Sequence, residues 1–155
     1  MARGLDPMGV AIAEAEAAAT RGEVPVGAVL VRDGAILAQA GNRTLELDDP
    51  TAHAELLVIR AAAGGAGSQR LVGADLYVTL EPCAMCAAAI SFARIRRLYY
   101  GAEDAKGGAV DHGPRFYAQP TCHHRPEVYS GIRGAESAAL LQRFFAARRS
   151  ATGSG

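Results

Sequence analysis

Cysteine is scarce, net charge is nil and long apolar runs are missing from this 155-residue chain, and each absence narrows what it does. The three cysteines, Cys83, Cys86 and Cys122, are too few for a disulfide framework. A domain of this length needs none, because it buries roughly 70% of its unfolded surface. No apolar stretch approaches the ~20 residues that span a bilayer. The Ala-rich run over 10–19 is interrupted by Glu14 and Glu16, so it reads as a helix face rather than an export signal. A cytoplasmic protein with no membrane association is therefore expected. A net charge of zero argues against coating nucleic acid non-specifically, since such binding displaces counterions with many cations. Lysine is almost missing: of sixteen basic residues only Lys106 is not arginine. Arginine suits phosphate forks and base stacking, but a compositional bias that also favours Ala and Gly accounts for the count.

What is present is an alternation of helix and strand patterns. Helix formers over 6–21 start at Asp6-Pro7 and stop at Gly22. Runs over 26–32 and 35–41 flank Asp33-Gly34, a strong hairpin signal. Asp49-Pro50-Thr51 predicts a helix start with Thr51 as N-cap, a body over 52–63, and an end at Gly64, Gly65 and Gly67. A strand over 75–80, a small-residue helix over 83–93 and a strand over 96–101 follow. The Gly- and Pro-rich stretch over 106–126 has no period, and loops of that length are often functional. A short strand near 128–130 precedes a last helix over 135–149, with an apolar stripe of Leu140, Leu141, Phe144 and Phe145. This order predicts one α/β domain over 1–149, a mixed central sheet covered on both faces in three α/β/α layers, and a disordered tail over 150–155.

The chemistry concentrates in His53-Ala54-Glu55 and Pro82-Cys83-Ala84-Met85-Cys86. Zinc takes imidazole and thiolate ligands in a tetrahedron, and a catalytic site keeps one position open for water. One His and a Cys pair make that three-ligand count. Cys83 and Cys86, three apart, share a face in the first turn of their helix, and His53 also falls in a first turn. Free N–H groups at helix starts lower thiolate pKa and hold imidazole neutral, which favours metal binding. Glu55, two residues beyond His53, is placed to border the open position and move protons there. H-x-E with P-C-x-x-C is a known signature of zinc deaminases.

Other readings of the same residues exist. A thioredoxin-like CxxC predicts a different element order and leaves His53 and Glu55 idle. A structural zinc site needs a fourth ligand, with His112, Cys122, His123 or His124 available. His53 as a core histidine leaves Glu55 and the cysteine pair unexplained.

Longer stretches add to these motifs: Glu23-Val24-Pro25-Val26-Gly27-Ala28-Val29, Gly41-Asn42-Arg43, the run over 49–55, Leu76 through Cys86, and Gly101 through Gly108. With them the chain resembles, over nearly its whole length, the bacterial tRNA-specific adenosine deaminases of the cytidine/deoxycytidylate deaminase superfamily. The resemblance implies a cytidine-deaminase-like fold, one Zn2+ per subunit on His53, Cys83 and Cys86, and Glu55 as the catalytic proton shuttle. It implies substrate contacts at Asn42, Val26, Ala54, Leu80 and Asp104. It further implies a homodimer acting on the anticodon stem-loop of an arginine tRNA, whose wobble adenosine becomes inosine. In that chemistry zinc lowers the pKa of a water toward ~7 for attack at C6, and Glu55 carries protons to N1 and to the departing amine. A target in a single-stranded loop is splayed out at low cost.

The segment over 111–125 departs from the family pattern. Its Cys122-His123-His124 cluster raises a second metal site as one reading, and a surface loop near the substrate is the expectation. Arg94, Arg96 and Arg97, with Arg143, Arg148 and Arg149, supply basic groups that serve either phosphate contacts or an ordinary solvated face. Two alternatives stand beside the tRNA reading. One is a deaminase of a free base or nucleoside such as guanine or cytosine. The other is a non-catalytic RNA-binding subunit, which would have no need of Glu55.

Overall fold

A computed structural model of the chain describes residues 4–152. Helix α1 (Pro7–Thr20) starts where Asp6 accepts the Gly9 N–H at 3.0 Å, a side-chain N-cap ahead of a proline. Strands β1 (Gly27–Arg32) and β2 (Ala35–Gly41) pair antiparallel. Asp33 and Gly34 take φ of 52° and 75°, the doubly positive turn that matches strand twist. Helix α2 (Ala54–Ala66), strand β3 (Asp75–Leu80), helix α3 (Ala84–Phe92) and strand β4 (Arg97–Ala102) follow. A 3-10 turn (Phe116–Ala118), strand β5 (Glu127–Tyr129) and helix α4 (Gly134–Thr152) complete the order.

The sheet runs β2-β1-β3-β4-β5, antiparallel from β2 through β3 and parallel from β3 through β5. Alternation along β1 sorts the core. Ala28 and Leu30 face Val58 and Ala62 of α2 and Ile90 of α3, whereas Val29 and Val31 face Met8, Ala11 and Ile12 of α1. Gly27 lets α1 lie against the sheet, since a Cβ there would sit 1.9 Å from the Ala11 carbonyl oxygen. With α4 over β4 on the α1 side, the mixed sheet is covered on both faces in the expected three layers. An in-register row of Tyr77, Tyr99 and Tyr129 crosses β3, β4 and β5, its rings stacked at 4.3 and 4.9 Å.

Three expectations change. Thr51 is not the N-cap of α2: its hydroxyl donates to Asp49 Oδ1 at 2.6 Å, so a local turn consumes it and the helix begins after His53. Gly64 and Gly65 do not end α2. The stop comes at Gly67, whose left-handed φ of 64° turns the chain and sends its N–H back to Gly64. The tail over 150–155 is not wholly disordered, because α4 continues through Thr152; residues 153–155 lie outside the described residues.

Candidate active site

His53 and Cys83 occupy equivalent places, each the N-cap residue of its helix with extended backbone (φ −73° in both) and no side-chain capping bond. Their side chains are thus free to face one another rather than their own helices. Cys86 lies one turn into α3, on the same side as Cys83. His53 Nδ1 stands 3.7 Å from Cys83 Sγ and 3.5 Å from Cys86 Sγ, and the three atoms lie within 4.8 Å of each other. Tetrahedral zinc with bonds of ~2.3 Å to sulfur and ~2.0 Å to nitrogen spaces its ligands roughly 3.6–3.8 Å apart. The residues fit that ion.

Protons are shared unevenly among the three groups. The hydrogen bond from Cys86 pulls the Cys83 thiol down to about 4 against the opposing effect of burial, with His53 adding to the pull. Cys86, hydrogen-bonded to Cys83 and buried, is pushed up and keeps the proton the pair shares. Its hydrogen bond to Cys83 raises His53 above the ordinary histidine value, although burial opposes this. Glu55 is 4% exposed, and burial pushes its carboxyl up to about 7, with the His53 charge acting the other way. A carboxyl poised there both accepts and donates protons near neutral pH.

His53, Cys83 and Glu55 open onto a cavity of about 260 Å³, with Cys86 buried behind them. Its lining includes His53, Glu55, Cys83, Val26, Asn42, Leu80 and Asp104, all predicted from the sequence, and Val24, Thr44, Glu81 and Gly107, which were not. Ala54 does not line it: its methyl group is in the core and its N–H is taken by Asn42 Oδ1 at 2.8 Å. Asn42 therefore starts α2 in place of Thr51, and its remaining donor, Nδ2, is what it offers the cavity.

Two buried carboxylates escaped the sequence reading. Glu23, 1% exposed, accepts the N–H groups of Leu45 (3.1 Å) and Glu46 (2.9 Å). Glu81, 2% exposed, accepts those of Asp104, Val110, Asp111 and His112. Burial alone would raise both carboxyls, and the N–H donors outweigh it and hold both below the usual range. The signal in the sequence was an acid set against apolar strand residues, which is tolerated inside only with donors around it.

The Cys122-His123-His124 cluster is not a surface loop in its first member. Cys122 is 5% exposed, with Sγ 3.2 Å from the His124 carbonyl oxygen, and His124 Nε2 donates to Ile95 O at 2.7 Å. Among the described residues the metal-ligand group is His53, Cys83 and Cys86 alone. Of the basic groups, Arg96 forks onto Asp75 (3.0 and 2.8 Å) and Arg97 pairs with Glu127 (3.1 Å). Arg148 reaches the Gly22 carbonyl and sits 4.5 Å over the Phe144 ring.

Residues 5–102 match the model of the cytidine and deoxycytidylate deaminase zinc-binding region. The chain is 65% identical, over 92% of its length and 93% of the relative's, to the tRNA-specific adenosine deaminase of Agrobacterium fabrum. A solved structure from work on A-to-I editing by tRNA:A34 deaminases at the wobble position of transfer RNA superposes with a TM-score of 0.86. That structure is 66% identical, over 87% of this chain and 98% of its own. A guanine deaminase from Bacillus subtilis is more distant, 31% identical with a TM-score of 0.63, over 88% of this chain and 91% of its own.

Proposed function

This chain belongs to the zinc-binding cytidine and deoxycytidylate deaminase family, as a tRNA adenosine deaminase acting at A34, and on that footing we propose how its residues share the work. His53, Cys83 and Cys86 hold one zinc per subunit, and Glu55 is the catalytic proton shuttle. The observation that carries this assignment is the convergence of three ligand atoms at zinc spacing beside a buried carboxyl in one cavity wall.

Zinc held there supplies a water acidic enough to act as nucleophile near neutral pH. Glu55 takes a proton from the attacking water and delivers it to N1 of adenine. As the water oxygen bonds to C6, Glu55 next takes the proton of the new hydroxyl and passes it to the exocyclic amine, the C6–N bond breaks, and adenosine and water become inosine and ammonia. Val26 and Leu80 press on the faces of the base, Asn42 donates through Nδ2, and Asp104 borders the mouth. The apolar walls keep bulk water from the reacting atoms.

The finer assignments extend the same reading: a single deaminase domain, an arginine tRNA anticodon stem-loop as substrate, a homodimer, and a cytoplasmic setting. Phe92, 73% exposed at the end of α3, is an apolar side chain of the kind a second subunit covers. Among the described residues no helix is long and apolar enough to cross a membrane. The free-base alternative has less support, since the guanine deaminase is the more distant likeness.

The test is inosine formation by the purified protein. An arginine anticodon stem-loop is assayed beside free adenosine, guanine and cytosine. Inosine in the stem-loop alone is expected. Turnover of a free base with none in the RNA overturns the tRNA assignment and leaves the zinc chemistry standing.

A further inference from the structure

The division of labour above leaves Glu81 without a role, although it borders the cavity. Its side chain has no exposed surface. Around it is wrapped one segment of the chain, from Asp104 to His112. Oε1 accepts the Asp104 N–H at 3.0 Å and His112 Nδ1 at 2.7 Å. Oε2 accepts the N–H groups of Val110 (3.1 Å), Asp111 (2.9 Å) and His112 (3.2 Å). A carboxylate is acceptor-only at both oxygens, so it can gather five N–H donors, and a glutamine of the same size cannot. The wrapping is close: a Cβ on Gly108 would meet the Glu81 carboxyl carbon at 2.5 Å.

The segment lies in no helix or strand; Asp104 ties its first turn together, Oδ1 accepting the Lys106 and Gly107 N–H groups and its carbonyl that of Gly108, while Glu81 and the bond from the Ala109 N–H to the Pro82 carbonyl join it to the end of β3. It supplies Asp104 and Gly107 to the lining of the cavity that Val26 and Asn42 also border. Glu81 follows directly on Leu80, the last residue of β3, and is therefore anchored to the sheet. His112 closes the arrangement, because its ring donor takes the position on Oε1 that the backbone leaves over.

We propose that Glu81, seated by His112, is the positioning residue for this wall of the cavity: it sets where Asp104 and Gly107 stand when the nucleotide enters. The proposal rests on the reading of the cavity as the nucleobase site. It gives Glu81 no contact with substrate and no part in proton transfer. Loss of its grip should therefore weaken substrate binding and leave the chemical step and the metal in place.

Four variants of the full-length protein test this: Glu81→Gln, Glu81→Asp, His112→Ala and His112→Asn. Zinc content, inosine kinetics on the arginine stem-loop, and amide hydrogen exchange over 104–112 are measured for each. Losing a hydrogen bond to a charged group corresponds to about ten- to a hundredfold in an equilibrium. His112→Ala should raise KM about tenfold with kcat within about twofold. His112→Asn, whose amide places a donor where Nδ1 stands, should restore KM. Glu81→Gln should speed exchange at Val110, Asp111 and His112 by about ten- to a hundredfold, and Glu81→Asp should do so less. Because Glu81→Gln lies two residues from Cys83, the His112 pair decides the matter if that variant loses zinc. Exchange as slow in Glu81→Gln and His112→Ala as in the parent overturns the proposal, as does a fall in kcat at unchanged KM. Faster exchange in the variants, where the parent itself makes no inosine, upholds the positioning role and overturns the tRNA reading.

Discussion

Replacing Asn42 removes two contributions that can be measured apart. Its Oδ1 accepts the Ala54 N–H at 2.8 Å, a buried bond that satisfies the start of α2 where His53 makes no capping bond of its own. The residue also lines the cavity, and Nδ2 is the side-chain donor that the bond to Ala54 leaves over. Asn42→Ala deletes both. The lost cap and the stranded N–H together cost about 1–3 kcal/mol. For a domain of this size that lowers Tm by about 3–10 °C. Asn42→Asp keeps the acceptor and, with a negative charge at a helix start, keeps or improves the cap. It replaces the cavity donor with an acceptor. Its Tm should stay within about 2 °C of the parent, while kcat/KM on the stem-loop falls at least about tenfold. Circular dichroism melts and inosine assays on both variants give the comparison. Parental kcat/KM in Asn42→Asp would show that the amide donates nothing to the substrate. A parental Tm in Asn42→Ala would show that the bond to Ala54 does not hold α2.

Glu55→Gln should retain its zinc and lose about 10²–10⁴ in kcat, and turnover near the parental rate would remove Glu55 from the mechanism. The same variant bears on pH. The Glu55 carboxyl is raised from 4.5 to about 7 in the fold, so in zinc-free protein its contribution to stability is full below about 4.5 and is lost as pH rises through about 7. Zinc-free Glu55→Gln should therefore melt above the zinc-free parent at pH 8 and level with it at pH 4, and a constant difference across that range would refute the buried-carboxyl account. Cys83→Ser should lose metal and stability together, since ligand geometry and the start of α3 depend on one residue. Metal analysis showing parental zinc in that variant would mean the ligand set is wrong.

The metal centre was legible because zinc restricts its ligands to a few residue types, and here two of them lie three residues apart and a third sits beside a carboxyl. The helix and strand order was legible from periodicity and from punctuation such as Asp33-Gly34. What failed turned on hydrogen bonds and backbone angles that periodicity does not carry. Thr51 looks like an N-cap until Asp49 takes its hydroxyl, and the group that starts α2 lies twelve positions back, at Asn42. Gly64 and Gly65 are exposed with nothing near their missing side chains, so the helix crosses them and stops only where φ turns positive. The segment over 104–126 has no period because its order comes from Glu81, Ser91 and the core beneath, not from a repeat of its own. The basic residues illustrate the same limit. Arg96 and Arg97 read as a patch, and Asp75 and Glu127 neutralise them from neighbouring strands.

The tyrosine row across β3, β4 and β5 has an optical consequence. The chain contains no tryptophan, and its near-ultraviolet signal comes chiefly from five tyrosines. Three of these are stacked in register, at 4.3 and 4.9 Å, with planes within 3° and 19° of parallel. Rings held so close couple their electronic transitions, and the coupling ends when the strands part. The parallel edge of the sheet thus carries its own chromophore, and undocking of β5 can be followed in the unmodified protein without a label.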